Sequence, residues 1–172
     1  MCPYWTRPID PGEQAVRDRS AVQDVDRQVT DKANGVAMSM RKTSHAVTRL
    51  YNDTLKPTGL RVTQFATLAV LQEMGCTDFT SLAEALGVDR TTLARNLRRM
   101  QANDLVEIAP GADRRQRMVT LTPQGTQALE TALPLWERAQ RQMVESIGQD
   151  RWSALLHELS AIAEQARQIL SG

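Results

Sequence analysis

The side chains with the clearest chemistry in this chain are arginines and threonines that crowd residues 90–117. Stepping 100° per residue from Leu93, the apolar Leu93, Leu97 and Met100 fall in one narrow sector of a helix. Guanidinium groups pair with guanine edges, and threonine reaches phosphates or thymine methyls. Such a helix suits the major groove of DNA, although a basic solvated face alone would look the same. The side opposite the apolar sector carries Thr91, Thr92, Arg95, Arg98 and Arg99.

The residues after this helix favour the DNA interpretation. Two short apolar runs, 105–108 and 117–121, predict strands, and the sequence PGAD between them supplies turn residues. Three arginines, Arg114, Arg115 and Arg117, then lie at or beside the tip of a β-hairpin. A merely solvated helix does not explain this basic hairpin.

The residues before the helix complete a recognisable arrangement. A short helix is predicted to open at Thr80 or Ser81, with Ser81 and Glu84 forming a capping box. Gly87 suits the C-terminal stop, and Asp89 suits the N-cap of the arginine-rich helix. Helix, turn, helix and basic hairpin together predict a winged helix–turn–helix.

Longer helices flank this lobe. Residues 36–55 and about 63–74 have helical patterns, and Lys56-Pro57 separates them. Thr122-Pro123 begins a long helix, and a last helix follows Asp150. The last helix carries an apolar seam in steps of three and four that one small lobe cannot bury, which predicts a homodimer. The seam consists of Trp152, Leu155, Leu159, Ile162, Ala166 and Ile169.

Composition agrees with a helical protein that has a local basic patch. Hydrophobic residues make up 41% of the 172 residues but aromatic residues only 4%, so aliphatic side chains must form the core. The net charge is only +1, yet residues 88–118 hold seven arginines against four acidic residues. A local patch on a neutral chain favours specific nucleic-acid binding. Neither a membrane span nor a signal peptide is evident, and we expect a cytoplasmic protein.

Enzymes and metal proteins fit the sequence poorly. No acid–base pair, nucleophile beside a histidine or phosphate-binding glycine loop stands out. Cys2 and Cys76 form neither a disulfide framework nor a zinc site, and we expect Cys76 to be small and buried. We therefore expect no catalytic residues, metal or cofactor.

The predicted organisation is mainly α-helical with a small β-hairpin wing. Residues 1–36, rich in proline and charge, are predicted to be a disordered or loosely helical extension. Residues 37–172 form the main domain, in which 59–122 is the winged helix–turn–helix lobe. Residues 37–56 and 123–170 are the dimerisation helices.

The order of elements resembles the MarR family of bacterial transcription regulators. The matching stretches are GLRVTQFATLAVL (59–71), SLAEALGVDRTTLARNLRRM (81–100) and LVEIAPGADRRQRMVTLTPQG (105–125), with the two terminal helices. The wing sequence Asp113-Arg114-Arg115 followed by LTPQG is the most specific part. The resemblance covers about residues 37–170, so the first 36 residues have no counterpart, and no cysteine stands where thiol-sensing members carry one.

The resemblance implies a homodimeric repressor that binds double-stranded DNA. It implies that Arg115 enters the minor groove, that Asp113 helps to hold the wing, and that residues 91, 92 and 95 face the major groove. The full set of expected DNA contacts is Ser81, Arg90, Thr91, Thr92, Arg95, Arg98, Arg99, Asp113, Arg114, Arg115 and Arg117.

The family resemblance also implies release from DNA by a small aromatic or phenolic effector. His45 and Arg49 lie one turn apart on the first helix and could face such a pocket, although a pair like this is more often a solvated or structural feature. The alternative function is a helical dimeric interaction module that does not bind DNA.

Overall fold

The computed structural model describes residues 35–111, 113 and 116–172. Most of the predicted extension 1–36 lies outside the described residues, as do Ala112, Arg114 and Arg115 in the wing. The chain divides into two units between Val47 and Thr48. In the described part, no helix combines the length and apolar character needed to cross a bilayer. The fold is mainly helical with a small antiparallel sheet, which confirms the predicted class.

Two helices precede the helix–turn–helix. Helix α1 (Val36–Leu55) begins in the first unit, where its described residues are exposed or half-buried, and ends in the second, where Tyr51 and Leu55 are buried. A 3₁₀ turn (Lys56–Thr58) containing Pro57 follows, as expected for the residues around a proline. Helix α2 (Val62–Met74) begins one residue earlier than predicted.

The helix–turn–helix consists of α3 (Phe79–Leu86) and α4 (Arg90–Ala102). Gly87 ends α3 with a φ of +64°, a conformation that glycine adopts without strain. The predicted capping box at Ser81 is wrong, because Asp78 is the N-cap of α3 and accepts the backbone N–H groups of Thr80 and Ser81. The predicted cap of α4, Asp89, is confirmed.

Three strands form an antiparallel sheet in the order β1-β3-β2. They are β1 (Thr77–Asp78), β2 (Val106–Pro110) and β3 (Arg117–Leu121). Strand β2 runs past the predicted end at Ile108, and Pro110, expected in the turn, pairs with Arg117. A proline is tolerated there because β2 lies at the edge of the sheet. The sequence does not predict strand β1, since two residues carry no readable periodicity.

The core of the second unit is almost wholly aliphatic, in agreement with the composition. Side chains from α2, α3, α4 and the sheet meet there. Phe65 is the aromatic residue among the buried members of this cluster, while Phe79 and Trp136 pack against it partly buried. Cys76, expected to be buried, is instead exposed in the turn before β1. The side chains that are essentially inaccessible include Leu55, Leu68, Leu71, Leu82, Leu93, Leu97, Met100, Val106 and Val119.

The lobe joins the long helix α5 (Pro123–Ile147) through a tight turn. The Thr122 hydroxyl donates to the Asp104 carbonyl and accepts the Gly125 N–H at 2.9 Å. A Cβ atom on Gly125 would lie 2.0 Å from the Leu105 carbonyl oxygen, so the backbones of α5 and the lobe touch at this residue. Because Asp104 and Leu105 directly follow α4 and its C-cap Asn103, this turn ties α5 to the end of α4.

The last helix, α6 (Gln149–Ser171), has no fully buried residue. Leucine and isoleucine side chains along its seam stay 39–79% exposed in the isolated chain. A contiguous exposed apolar face of this kind marks an interaction surface. The exposed seam residues are Leu155, Leu159, Ile162 and Ile169.

Candidate nucleic-acid interface

Helix α4 is divided into a buried edge and an exposed basic face. Leu93, Leu97 and Met100 are 1%, 0% and 0% exposed and fix the helix to the lobe. These three apolar contacts orient every residue on the other side outward. The residues that the structure leaves exposed there are Arg90, Thr91, Thr92, Arg95, Arg98 and Arg99.

The arginines of this face are not neutralised within the described part of the chain. The ion pairs found there involve Arg49, Arg141 and Arg167, all on other helices. Among the described residues, no carboxylate lies within ion-pair distance of the four arginines of α4. Guanidinium groups on one exposed helix face can bind phosphates or present paired donors to a guanine edge.

The described part of the wing continues this surface. Arg117 is exposed at the start of β3, where it pairs with Pro110 in the ladder. The backbone N–H of Gly111 donates to the carbonyl of Gln116, and the N–H of Gln116 donates to the carbonyl of the exposed Asp113, closing the hairpin. Arg114 and Arg115, predicted to contact DNA, lie outside the described residues.

The two helices of the helix–turn–helix begin with the same cap. Asp78 accepts the Ser81 hydroxyl at 2.8 Å, and Asp89 accepts the Thr92 hydroxyl at 2.6 Å, each aspartate also holding backbone N–H groups. A hydroxyl has one proton to donate, and phosphate oxygens only accept. Ser81 and Thr92 are both predicted to contact DNA. With their protons committed, they are less suited to donate to phosphate than Thr91, which lies beside Thr92 on the same face.

These caps change how the two aspartates ionise. A hydrogen bond from the Ser81 side chain, with the backbone N–H groups of the first turn, lowers the pKa of Asp78. The Thr92 hydroxyl does the same to the pKa of Asp89, again with help from the backbone. In both cases the ionised carboxylate is the form that holds the helix end.

Acid should therefore weaken the cap of α4. Since the folded pKa of Asp89 lies below its unfolded value, its contribution to stability is complete above pH ~4 and is lost as the pH falls through the folded pKa. Asp89→Asn keeps an acceptor but cannot ionise. We expect the melting temperature of wild type to exceed that of Asp89→Asn at neutral pH and the gap to close below pH ~4.

The matched control is Glu130→Gln, which removes an exposed acid from α5. It removes one carboxylate without touching a helix cap, so its difference in melting temperature from wild type measures the general effect of losing one acidic side chain. A gap for Asp89→Asn that stays constant from neutral to acid pH would contradict the proposed role of the ionised cap.

A second feature that the sequence does not reveal is a polar contact between α4 and α2. The Asn96 side-chain amide donates to the Thr67 hydroxyl at 3.1 Å, although the two residues are 29 positions apart. Thr67 is only 1% exposed, and no local pattern in the sequence indicates that this threonine is buried and hydrogen-bonded to another helix. Beside this contact a cleft of about 320 Å³ separates α2 from α4, with Arg95 and Arg99 along it.

The residues predicted to bind a small ligand are exposed. The Arg49 Nε atom lies 3.8 Å from an Asp53 carboxylate oxygen one turn away, and both side chains are largely in solvent. His45 is exposed as well. Nothing in these contacts assigns either residue a ligand, and their role stays a prediction.

Within the second unit, aromatic side chains join the end of α1 to α2 and α5. The Phe65 and Trp136 rings stack with centroids 5.5 Å apart, and the Tyr51 and Trp136 centroids are 6.5 Å apart. The Tyr51 hydroxyl donates to the Gln140 side chain, and burial raises the pKa of Tyr51. This cluster packs the end of α1 against α2 and α5.

Comparisons with known proteins agree with this geometry. The sequence profile of the MarR family matches residues 58–116. The HTH-type transcriptional repressor NicR of Pseudomonas putida is 26% identical over 136 residues, which cover 78% of this chain and 86% of NicR.

Two solved structures share the fold over about three quarters of this chain. The Mycobacterium tuberculosis transcriptional regulator MosR in complex with DNA is 34% identical, with a TM-score of 0.72, covering 77% of this chain and 96% of MosR. A mutant of Escherichia coli MarR complexed with operator DNA is 25% identical, with a TM-score of 0.67, covering 77% and 99%. The family and these relatives are regulators of transcription rather than enzymes.

Proposed function

This chain belongs to the MarR family of transcription regulators, and from that premise we propose that it is a sequence-specific DNA-binding repressor. It binds a pseudo-palindromic operator in double-stranded DNA as a homodimer, with one winged helix–turn–helix lobe in each half-site. The observation that carries this proposal is the exposed arginine face of α4, held in place by the buried Leu93, Leu97 and Met100.

The dimer places two such faces on one DNA molecule. The exposed seam of α6 supplies an apolar surface that two copies of the chain can bury against each other across a two-fold axis. Two recognition helices related by a two-fold axis reach successive major grooves on one side of the duplex, about 34 Å apart. The proposed contact of each α4 with its major groove is flanked by Ser81, Arg90 and Arg98. Asp113 is proposed to support the wing.

The effector and the location of the protein belong to the same proposal. A small aromatic or phenolic molecule, bound near His45 and Arg49, would release the operator, in keeping with the resemblance to the family. The proposed regulator acts in the cytoplasm, where its DNA is, and uses no metal, cofactor or catalytic residue.

The α4 face and the wing are proposed to make different contacts, which can be tested separately. Arg95 lies at the middle of the α4 face, where a guanidinium can pair with a guanine edge. Arg95→Ala should cost about 1–3 kcal/mol on the operator and relax the preference at one base pair in each half-site. Arg115 is proposed to enter a minor groove and to sense its width and negative potential. Arg115→Ala should weaken binding to all DNA sequences more evenly. It should also flatten the plot of log K against log salt by about one unit for each phosphate that is no longer neutralised.

The measurement is a salt series of binding to operator and to scrambled DNA. Arg138→Ala, which removes an exposed arginine from the far helix α5, is the matched control and should leave both affinities unchanged. If Arg95→Ala and Arg115→Ala reduce operator and scrambled binding alike, the division of roles is wrong. If neither changes binding, this face does not bind DNA, and the alternative of a helical interaction module gains support.

A further inference from the structure

The apolar edge of α4 turns the basic face of the helix outward, but a hydrogen bond, which is directional, sets the exact rotation of the helix about its axis more sharply than apolar packing does. Leu93, Leu97 and Met100 occupy one narrow sector, and apolar contacts are not directional. Asn96 lies on the flank of that sector. Among the described residues it makes the one side-chain hydrogen bond that joins α4 to another helix.

The hydrogen bond has only one workable orientation. The Thr67 hydroxyl donates its proton to the Thr63 carbonyl at 2.8 Å, so toward Asn96 it can only accept. Asn96 must therefore present its NH₂ group, which it does at 3.1 Å. With Thr67 1% exposed, water does not readily take the place of the Asn96 amide at the Thr67 hydroxyl.

The open cleft beside this flank leaves α4 room to roll. A cleft of about 320 Å³ lies between α2 and α4 next to Thr67 and Asn96, so this flank of α4 is less closely packed than the edge that carries Leu97 and Met100. A roll that breaks the Asn96 contact turns the neighbouring Arg95 through the same angle. An error of about 1 Å at the guanidinium is enough to spoil a paired contact with a base.

We propose that Asn96, held by Thr67, is a positioning residue that sets the roll of α4 and through it the base preference of Arg95. This inference rests on the proposed function, since it concerns how the same surface reads a sequence. It adds that Thr67, which is 1% exposed and lies inside the lobe, influences specificity through Asn96.

The test uses the full chain and a duplex that the wild-type protein selects from a random pool. Thr67→Val removes the hydroxyl and keeps the branched shape, whereas Thr67→Ser keeps the hydroxyl. The double variant Thr67→Val with Asn96→Leu replaces both partners by apolar groups, so no polar group is left without a partner and stability is largely retained.

We expect Thr67→Val to bind the selected duplex about tenfold more weakly, within the range for removing one paired arginine–base interaction. Binding to scrambled DNA and the salt dependence should be unchanged, because the phosphate contacts remain. Thr67→Ser, which keeps the hydroxyl, should retain the preference for the selected duplex over scrambled DNA. The double variant should melt near wild type and still lack the preference.

A double-mutant cycle with Arg95 separates positioning from simple stability. If the hydrogen bond acts through Arg95, then Arg95→Ala should weaken operator binding much less in the Thr67→Val background than in wild type. A merely structural role would give additive losses on both duplexes, in step with the melting temperature.

Additive losses, or a double variant that recovers the preference, would overturn the inference while leaving the proposed function intact. A wild-type protein that selects no sequence would overturn the proposed function and this inference with it.

Discussion

A chain that carries Leu155→Glu together with Leu159→Glu is expected to be monomeric and to lose operator binding. Both leucines lie on the exposed seam of α6, 41% and 42% exposed in the isolated chain. Complete burial of each leucine is worth about 1.5–3 kcal/mol. In a two-fold dimer each substitution is present in both subunits, so its cost applies twice. Glutamates at these positions would also bring charge into the apolar seam, which holds no cationic side chain to pair with it.

Sedimentation and operator binding measure the two consequences separately. The matched control, Ser153→Glu with Ser160→Glu, adds the same charge to α6 outside the seam and should stay dimeric. Scrambled DNA should still bind the monomer weakly, because each lobe keeps its arginines. A well-folded dimer formed by the leucine double variant would overturn the proposed interface.

Gly125→Ala is expected to be among the most destabilising single substitutions in the chain. The new Cβ atom would lie 2.0 Å from the Leu105 carbonyl oxygen, and backbone cannot move aside as a flexible side chain can. Overpacking of this severity costs about 3 kcal/mol or more. For a domain of this size that lowers the melting temperature by roughly 6–12 °C.

Gln124→Ala is the matched control in the same turn. Its amide donates to the Asn103 carbonyl at 3.2 Å on an exposed surface, so removing it should cost about 1 kcal/mol or less. The melting temperature should fall much further in Gly125→Ala, which has the backbone clash, than in Gln124→Ala, which lacks one hydrogen bond. Equal melting temperatures would show that α5 can move away from the lobe at little cost.

The sequence is most informative where a local pattern determines a local structure. The apolar spacing of Leu93, Leu97 and Met100 predicts the buried edge of α4, and the structure confirms it. Asp89 and Gly87 are recognisable because a cap and a stop are properties of a few neighbouring residues. The fold class follows from the order of such local signals.

Errors arise where two local signals compete or where the structure depends on distant residues. Asp78 and Ser81 both suit an N-cap, and the sequence does not show that Phe79 is already helical. Strand β1 exists because Thr77 finds Val119 on a strand more than forty positions later.

The features that refine the DNA-binding face are also non-local. The contact of Asn96 with Thr67 and the close approach of Gly125 to Leu105 join segments that only the folded chain brings together. No periodicity or turn signal encodes either contact. The LTPQG sequence carries part of the resemblance to the family. The need for glycine at position 125 follows only from its close approach to the Leu105 carbonyl oxygen in the folded chain.

If two chains pair through the exposed seam of α6, as proposed, operator occupancy depends steeply on the amount of protein in the cell. In the proposed assembly, two lobes act together only after two seams meet. When the protein is scarce relative to the dissociation constant of the dimer, the dimer concentration follows the square of the chain concentration. Halving synthesis then lowers the amount of dimer about fourfold rather than twofold. The leucines of the last helix thereby sharpen the response of the regulated gene to small changes in regulator dose.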